Sequence, residues 1–230
     1  MTEHFQLYGR RHGRPLRRHR SELLETLLPV VRLERPEPGS RLELDPLFTS
    51  PVEAVWLEVG FGGGEHLAAQ AVANPGVGII GCEPFINGVA GLLGHIEREE
   101  LAGRVRVLAD DARFLIDALP DASIGRAFVL FADPWPKKRH WERRFIGPAN
   151  LDRLARVLKD GAELRLASDD PGLVTWMLDH TWHHPAFEWL ARKAEDWRTR
   201  PADWPQTRYE QKALEAGRRP VFLRFMRRER

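Results

Sequence analysis

From residue 52 onward, short apolar runs alternate with segments of helical period. The runs cover residues 54–59, 77–82, 105–109, 124–132 and 162–167. Amphipathic stretches at 64–73, 84–100, 112–119, 146–158 and 171–181 follow them in turn. Strands buried on both faces read as near-continuous apolar runs rather than strict alternation. Strand–helix alternation of this kind predicts an α/β fold with a doubly wound, parallel sheet. Residues 187–192 and 221–226 are candidates for late strands. No internal repeat or low-complexity tract interrupts the pattern.

Upstream of residue 52 the pattern fades. Residues 1–20 have little apolar periodicity and are expected to form a mobile basic arm. Ser21 is placed to cap a short helix over 22–28, stopped by Pro29. Residues 34–51, rich in proline and charge, read as a linker. The expected organisation is an arm, short helix and linker over 1–51 and one domain over 52–230.

A chain of 230 residues can bury roughly 70% of its unfolded surface without disulfides or structural metals. Cys82 is the one cysteine, so an internal disulfide and a multi-cysteine metal site are both excluded, and no metal is expected. No apolar stretch is long enough to span a bilayer, and the Arg-rich N-terminus lacks the apolar core of a secretory signal. A cytoplasmic protein that avoids membranes is the expectation.

Net charge is +2, but the charge is clustered. Arg10, Arg11, Arg14, Arg17, Arg18 and Arg20 fall in the arm; Lys137, Lys138, Arg139, Arg143 and Arg144 sit together; six more arginines lie between 218 and 230. Basic clusters on a nearly neutral chain suit a polyanion, although solvated surface and a basic tail would look the same.

Candidate chemistry lies at the strand ends, where open parallel sheets bind ligands. The first run ends in Glu58-Val-Gly60-Phe-Gly62-Gly63-Gly64, and glycines there let the backbone turn sharply and approach a ligand. A dinucleotide site requires a third glycine at position 65, where this chain has Glu65. Glu58 and Glu65 would repel a pyrophosphate. A ligand with cationic groups, such as the ammonium and sulfonium of S-adenosylmethionine, suits them better. Glu83, at the second strand end, can accept from ribose hydroxyls or cap the next helix. Asp110 and Asp111, at the third, offer a carboxylate to an adenine amino group or an N-cap. The fourth run leads into Asp133-Pro-Trp135-Pro-Lys137-Lys-Arg139-His140-Trp141-Glu142-Arg143-Arg144. Its prolines disfavour helix, and aromatic groups among cations suit exposed bases and phosphates.

These residues carry a resemblance to the bacterial tRNA (guanine-N7-)-methyltransferase family. The similar segments are Glu58–Gly64, Glu83-Pro-Phe85, Asp111-Ala112, Asp133–His140, Ser168-Asp169, Thr207-Arg-Tyr-Glu210 and the arm around 9–14. The resemblance runs from about residue 8 to the C-terminus. It implies a mostly parallel, Rossmann-like methyltransferase sheet with an antiparallel late strand, and methyl transfer from S-adenosylmethionine to N7 of a tRNA guanine, variable-loop guanine 46. It also implies that Glu58, Gly60, Gly62, Glu83, Asp111 and Asp133 bind the donor, with Asp133 also catalytic. Lys137, Asp169, Thr207, Arg208, Tyr209 and Glu210 would bind substrate, and Arg139, His140, Trp141, Glu142, Arg143 and Arg144 the RNA. The family usually has His-Lys where this chain has Trp141-Glu142, which lowers the charge of the loop.

Three rivals remain at this level: a small-molecule methyltransferase, a non-catalytic RNA-binding module, and a nucleotide-dependent dehydrogenase, the last disfavoured by Glu58 and Glu65. No obligate protein partner is implied; a monomer and a homodimer both fit.

Overall fold

A computed structural model describes Phe5 and residues 7–230. The chain falls into two compact units, one ending at Pro120 and the other spanning Asp121–Arg230.

The first unit is built on three parallel strands, β1 (Ala54–Val59), β2 (Val77–Cys82) and β3 (Val105–Leu108), in the order β3-β2-β1. The crossovers carry helices numbered, with two upstream, as α3 (Glu65–Ala73), α4 (Ile86–Arg98) and α5 (Ala112–Ala118). β1 and β2 have the bounds read from the sequence, and Leu57, Ile80 and Val107 are fully buried, as an all-parallel sheet requires. The register sets Val59 opposite Cys82 and Cys82 opposite Leu108. The three C-terminal ends are therefore level, and the residues that follow them emerge side by side.

α4 begins at Ile86 rather than residue 84, because Pro84 precedes an extended N-cap at Phe85. Its glycines let its backbone approach the turn after β1. A Cβ on Gly88 would lie 2.2 Å from the Gly62 carbonyl oxygen.

Upstream, α1 (Arg18–Thr26) starts before Ser21, which is interior to the helix and not its cap. Pro29 lies in the first turn of α2 (Leu28–Val31) rather than ending a helix, where its missing N–H costs nothing. α1 packs on α4. The preceding arm is tethered: Gly13 N donates to Asn87 Oδ1 at 2.7 Å, Asn87 Nδ2 to the Arg14 carbonyl at 2.7 Å, and Ile86 N to the Arg11 carbonyl at 2.9 Å. Just before the expected linker, Leu33 N donates to the Val107 carbonyl at 2.8 Å, and within it Asp45–Leu47 forms a 3-10 turn.

The second unit contains β4 (Ile124–Leu130), α6 (Pro148–Val157), β5 (Leu158–Ser168), α7 (Pro171–Trp182), β6 (Phe187–Trp189), α8 (Glu195–Arg198), α9 (Arg208–Glu215) and β7 (Val221–Arg227). Its strand order is β4-β5-β7-β6. β4 and β5 are parallel; β7 is antiparallel to both β5 and β6. The mostly parallel α/β class and the antiparallel late strand thus match the expectation. β4 stops two residues early because Phe131 turns to φ 52°, and β6 is half the expected length.

An ion cluster centred on a buried arginine knits this unit. Arg165 on β5, 2% exposed, lies 2.7 Å from both Glu163 and Asp203, and Arg224 on β7 also donates to Glu163. Burial pushes the Glu163 carboxyl up, but the hydrogen bond from Arg224 and the charge of Arg165 outweigh it, so the net shift is downward. This cluster anchors the loop at Asp203, which precedes α9.

Candidate functional site

In the first unit the chain after β1 reverses through Gly60, Gly62 and Gly64, with φ of 71°, 57° and 82°. L-residues with a Cβ rarely adopt this region. Gly64 is also the N-cap of α3, and a Cβ there would lie 2.6 Å from that of Leu92. The turn is thus specified by glycine on conformational and steric grounds together.

The acids around the turn are already hydrogen-bonded. Glu58, 2% exposed, holds Oε2 2.7 Å from Nδ1 of His66 on α3. Glu83 accepts from Gly62 N at 2.8 Å and from Phe85 N at 2.9 Å. It thereby ties the end of β2 to the glycine turn and also shapes the entry to α4. Asp111 caps α5 through Arg113 N at 2.9 Å and pairs with the Arg113 guanidinium at 2.6 Å. Asp110 meets Arg11 of the arm at 3.2 Å. Burial, then the charges of Asp111, Glu83 and Asp110, raise the Cys82 thiol well above its usual pKa. Four carboxylates thus gather at the level strand ends, with Asp110 and Asp111 partly offset by Arg11 and Arg113, a setting that favours a cationic ligand over phosphate.

In the second unit the chain leaving β4 is strained on both sides of Asp133: Phe131 has φ 52° and Trp135 φ 44°. Non-glycine residues in this region cost of order 1–3 kcal/mol and concentrate at functional sites. Phe131 N still donates to the Ala167 carbonyl at 2.8 Å, so the ladder with β5 extends to the point where the chain turns. A cavity of about 440 Å³ opens there, lined by Asp133, Asp169, Tyr209, Lys212 and Arg218 among others. Three of the residues singled out from sequence, Asp133, Asp169 and Tyr209, are thus brought together. Asp169 is paired with Arg218 at 2.5 Å.

Thr207 and Glu210 do not line that cavity. Thr207 is the N-cap of α9 and accepts from Glu210 N at 3.1 Å, half of a capping box. Glu210 turns its carboxylate to Arg200 at 3.1 Å. Its other oxygen, Oε2, is buried without a hydrogen-bond partner. Burial raises its pKa against the opposing pull of Arg200. Arg208 is exposed, and its guanidinium lies 5.5 Å from the Tyr209 ring.

The basic loop divides into two kinds of residue. Lys137, Lys138, Arg139 and Glu142 are exposed. After the prolines, Lys138–Arg143 winds into a 3-10 helix where the sequence suggested irregular loop. Desolvation and the charges of Arg143 and Arg139 lower the His140 pKa. Arg144 is 6% exposed. It donates to the carbonyls of Pro134 at 2.9 Å and Gly172 at 3.4 Å and packs 5.1 Å from both Trp141 and Trp176. A guanidinium so engaged holds the loop's shape. His66, Arg113 and Lys212 were not singled out from sequence, and Arg218 only as part of the C-terminal basic cluster. Of these only His66, in the first turn of α3 directly after the glycines, had a readable positional signal.

Among the described residues, no group of three or more His, Cys, Asp or Glu side chains could hold a metal. No described helix is long and apolar enough to cross a membrane.

Comparison with known proteins bears on this arrangement. A family model described as "Putative methyltransferase" matches residues 52–223. The tRNA (guanine-N(7)-)-methyltransferase of Paramagnetospirillum magneticum is 55% identical over 229 residues, covering 100% of this chain and 95% of its own. The enzyme of that name from Rhodospirillum rubrum is 54% identical over 231 residues, covering 100% and 90%. Among solved structures, the 16S rRNA methyltransferase KamB is similar with a TM-score of 0.53, at 16% identity, over 82% of this chain and 96% of its own. That last likeness concerns the fold alone.

Proposed function

Because the chain belongs to the tRNA (guanine-N(7)-)-methyltransferase family, we propose that it methylates N7 of a guanine in tRNA, at variable-loop position 46, with S-adenosylmethionine as donor. The observation that carries this reading furthest is the convergence of Asp133, Asp169 and Tyr209 on one cavity, with Asp133 bracketed by two strained residues. We assign the methyltransferase domain to residues 52–230 and an RNA-facing role to the arm, and take the protein to work in the cytoplasm, where its substrate is.

The residues of the first unit fit the donor. The buried carboxylate of Glu58 suits a cationic amino acid moiety, and Glu83 beside Gly62 suits ribose hydroxyls. Asp111 or Asp110 suits the adenine edge. When bound, S-adenosylmethionine supplies an electrophilic methyl on a sulfonium.

The chain's own work is then positioning and charge. N7 of guanine carries a lone pair and no proton, so no general base is needed to start. The purine becomes positively charged as the bond forms. Asp133, exposed at its strained turn, accepts from the base and stabilises that charge as it develops. Asp169 and Tyr209 hold the base in line, which reduces the barrier by fixing orientation beforehand. Extruding the base from the folded tRNA costs a few kcal/mol, offset by phosphate contacts of Lys137, Arg139 and Arg143.

The test is labelled-methyl incorporation into unmodified tRNA by the wild type and by Asp133→Ala. Incorporation that falls at least a hundredfold in the variant, with its melting temperature retained, is expected. Near-full incorporation by the variant would contradict the role given to Asp133.

A further inference from the structure

The second unit has another concavity, of about 620 Å³, that the reaction above does not use. Trp141 and Arg144 of the basic loop form one side, and Trp176, Asp179 and His180 of α7, with Asp170 before it, form the other. The His180 ring lies 4.0 Å from that of Trp176, tilted by 32°. Trp141 meets Trp176 edge-on, with centroids 5.5 Å apart.

We propose that this cleft is a stacking subsite for an unpaired base of the RNA substrate, other than the guanine that is methylated. The proposal rests on the tRNA reading given above. Three observations favour a base as the occupant. First, the walls are aromatic, and every base has a π face that stacks on such a surface. Second, the indole N–H of Trp141 is buried without a partner, whereas that of Trp176 donates to the Ile146 carbonyl at 2.5 Å. A buried donor left unpaired is unfavourable, and a turn of the indole toward the cleft would let a base carbonyl or ring nitrogen satisfy it. Third, the cleft is continuous with the basic loop through Trp141, next to exposed Lys137, Lys138 and Arg139.

The carboxylates decide which part of a nucleotide enters. Asp170 accepts from Leu173 N at 2.7 Å, and Asp179 lies 3.2 Å from His183 and 3.5 Å from His180. They repel a phosphate but accept from exocyclic amino groups. The base therefore enters, and the phosphates on either side stay outside with the lysines and Arg139.

Two measurements on the full-length enzyme test this. One is binding of a short single-stranded oligoadenylate, read by quenching of tryptophan fluorescence. The other is the kinetics of methyl transfer to tRNA. Trp141→Leu should weaken oligoadenylate binding at least fivefold and raise the tRNA KM by a similar factor, with the loss in KM rather than kcat. Trp141→Phe, which keeps a stacking face but lacks the N–H, should recover part of it. His180→Ala, at the opposite wall, should give the same direction of change without touching the loop. Unchanged binding and KM in both Trp141→Leu and His180→Ala would overturn the subsite. So would unaltered oligoadenylate binding accompanied by loss of affinity for an apolar peptide, which would mark the cleft as a protein-docking site. Oligoadenylate binding that needs Trp141, in an enzyme that transfers no methyl to tRNA, would sink the tRNA reading and leave the base subsite standing.

Discussion

Oε2 of Glu58 lies 2.7 Å from Nδ1 of His66, and both side chains are almost fully buried. The acid at the end of β1 is thus oriented by the helix that follows the glycine turn. Removing the partner of a charged, buried hydrogen bond costs about 1.5–3 kcal/mol. His66→Leu should therefore weaken binding of the methyl donor about tenfold or more, measured by titration calorimetry, and Glu58→Gln should weaken it further. Donor affinity unchanged in both variants would remove Glu58 from the donor site.

Arg144 offers a sharper distinction. Its guanidinium is spent on loop carbonyls and tryptophan faces. Arg144→Gln should lower stability by about 2 kcal/mol and slow methyl transfer, yet leave the salt dependence of tRNA binding unaltered. Arg139→Gln should do the reverse, keeping stability and reducing the salt slope by roughly one. Equal slope changes for the two arginines would mean that Arg144 reaches phosphate after all.

Asp169 and Arg218 form an ion pair within the cavity that contains Asp133. Arg218 is more than half exposed, so the pair contributes little to stability, within about 0.5 kcal/mol. Asp169→Ala should accordingly keep its melting temperature while losing at least tenfold in kcat/KM for tRNA. A fall in stability that accounts for the lost activity would point to a structural role instead.

His140 sets a pH dependence. Desolvation and the charges of Arg143 and Arg139 hold its pKa below the ordinary value, so near neutral pH it adds no charge to the loop. Bound phosphate favours the protonated form and raises that pKa, so RNA binding takes up a proton. Affinity for tRNA should therefore rise as pH falls through the free and bound pKa values, and His140→Asn should flatten this rise. An identical pH profile in the variant would exclude His140 from the RNA surface.

Legibility of this molecule followed the kind of signal each part carries. β1 and β2 were readable to the residue because buried parallel strands must be continuously apolar. The glycine turn was readable because its φ values demand glycine. α9 was not, since its outer face is polar and only Glu210 and Ala213 are buried; its start depends on the Thr207 cap, with no apolar periodicity after it to mark a helix. The 3-10 turn over 138–143 escaped because the two prolines restrict only their own neighbourhood. Arg144 was unreadable in principle. Within a run of cations nothing in sequence separates the arginine that faces solvent from the one folded onto backbone carbonyls. The same holds for Arg113, whose role exists only once the start of a helix brings it to the carboxylate of Asp111.

The central claim is the atom that is methylated, and nucleoside mass spectrometry tests it most directly. Unmodified tRNA incubated with the enzyme and S-adenosylmethionine, then digested to nucleosides, should yield 7-methylguanosine that is absent without donor and absent with Asp133→Ala. No 7-methylguanosine above the donor-free control, or a different methylated nucleoside in its place, would contradict the account.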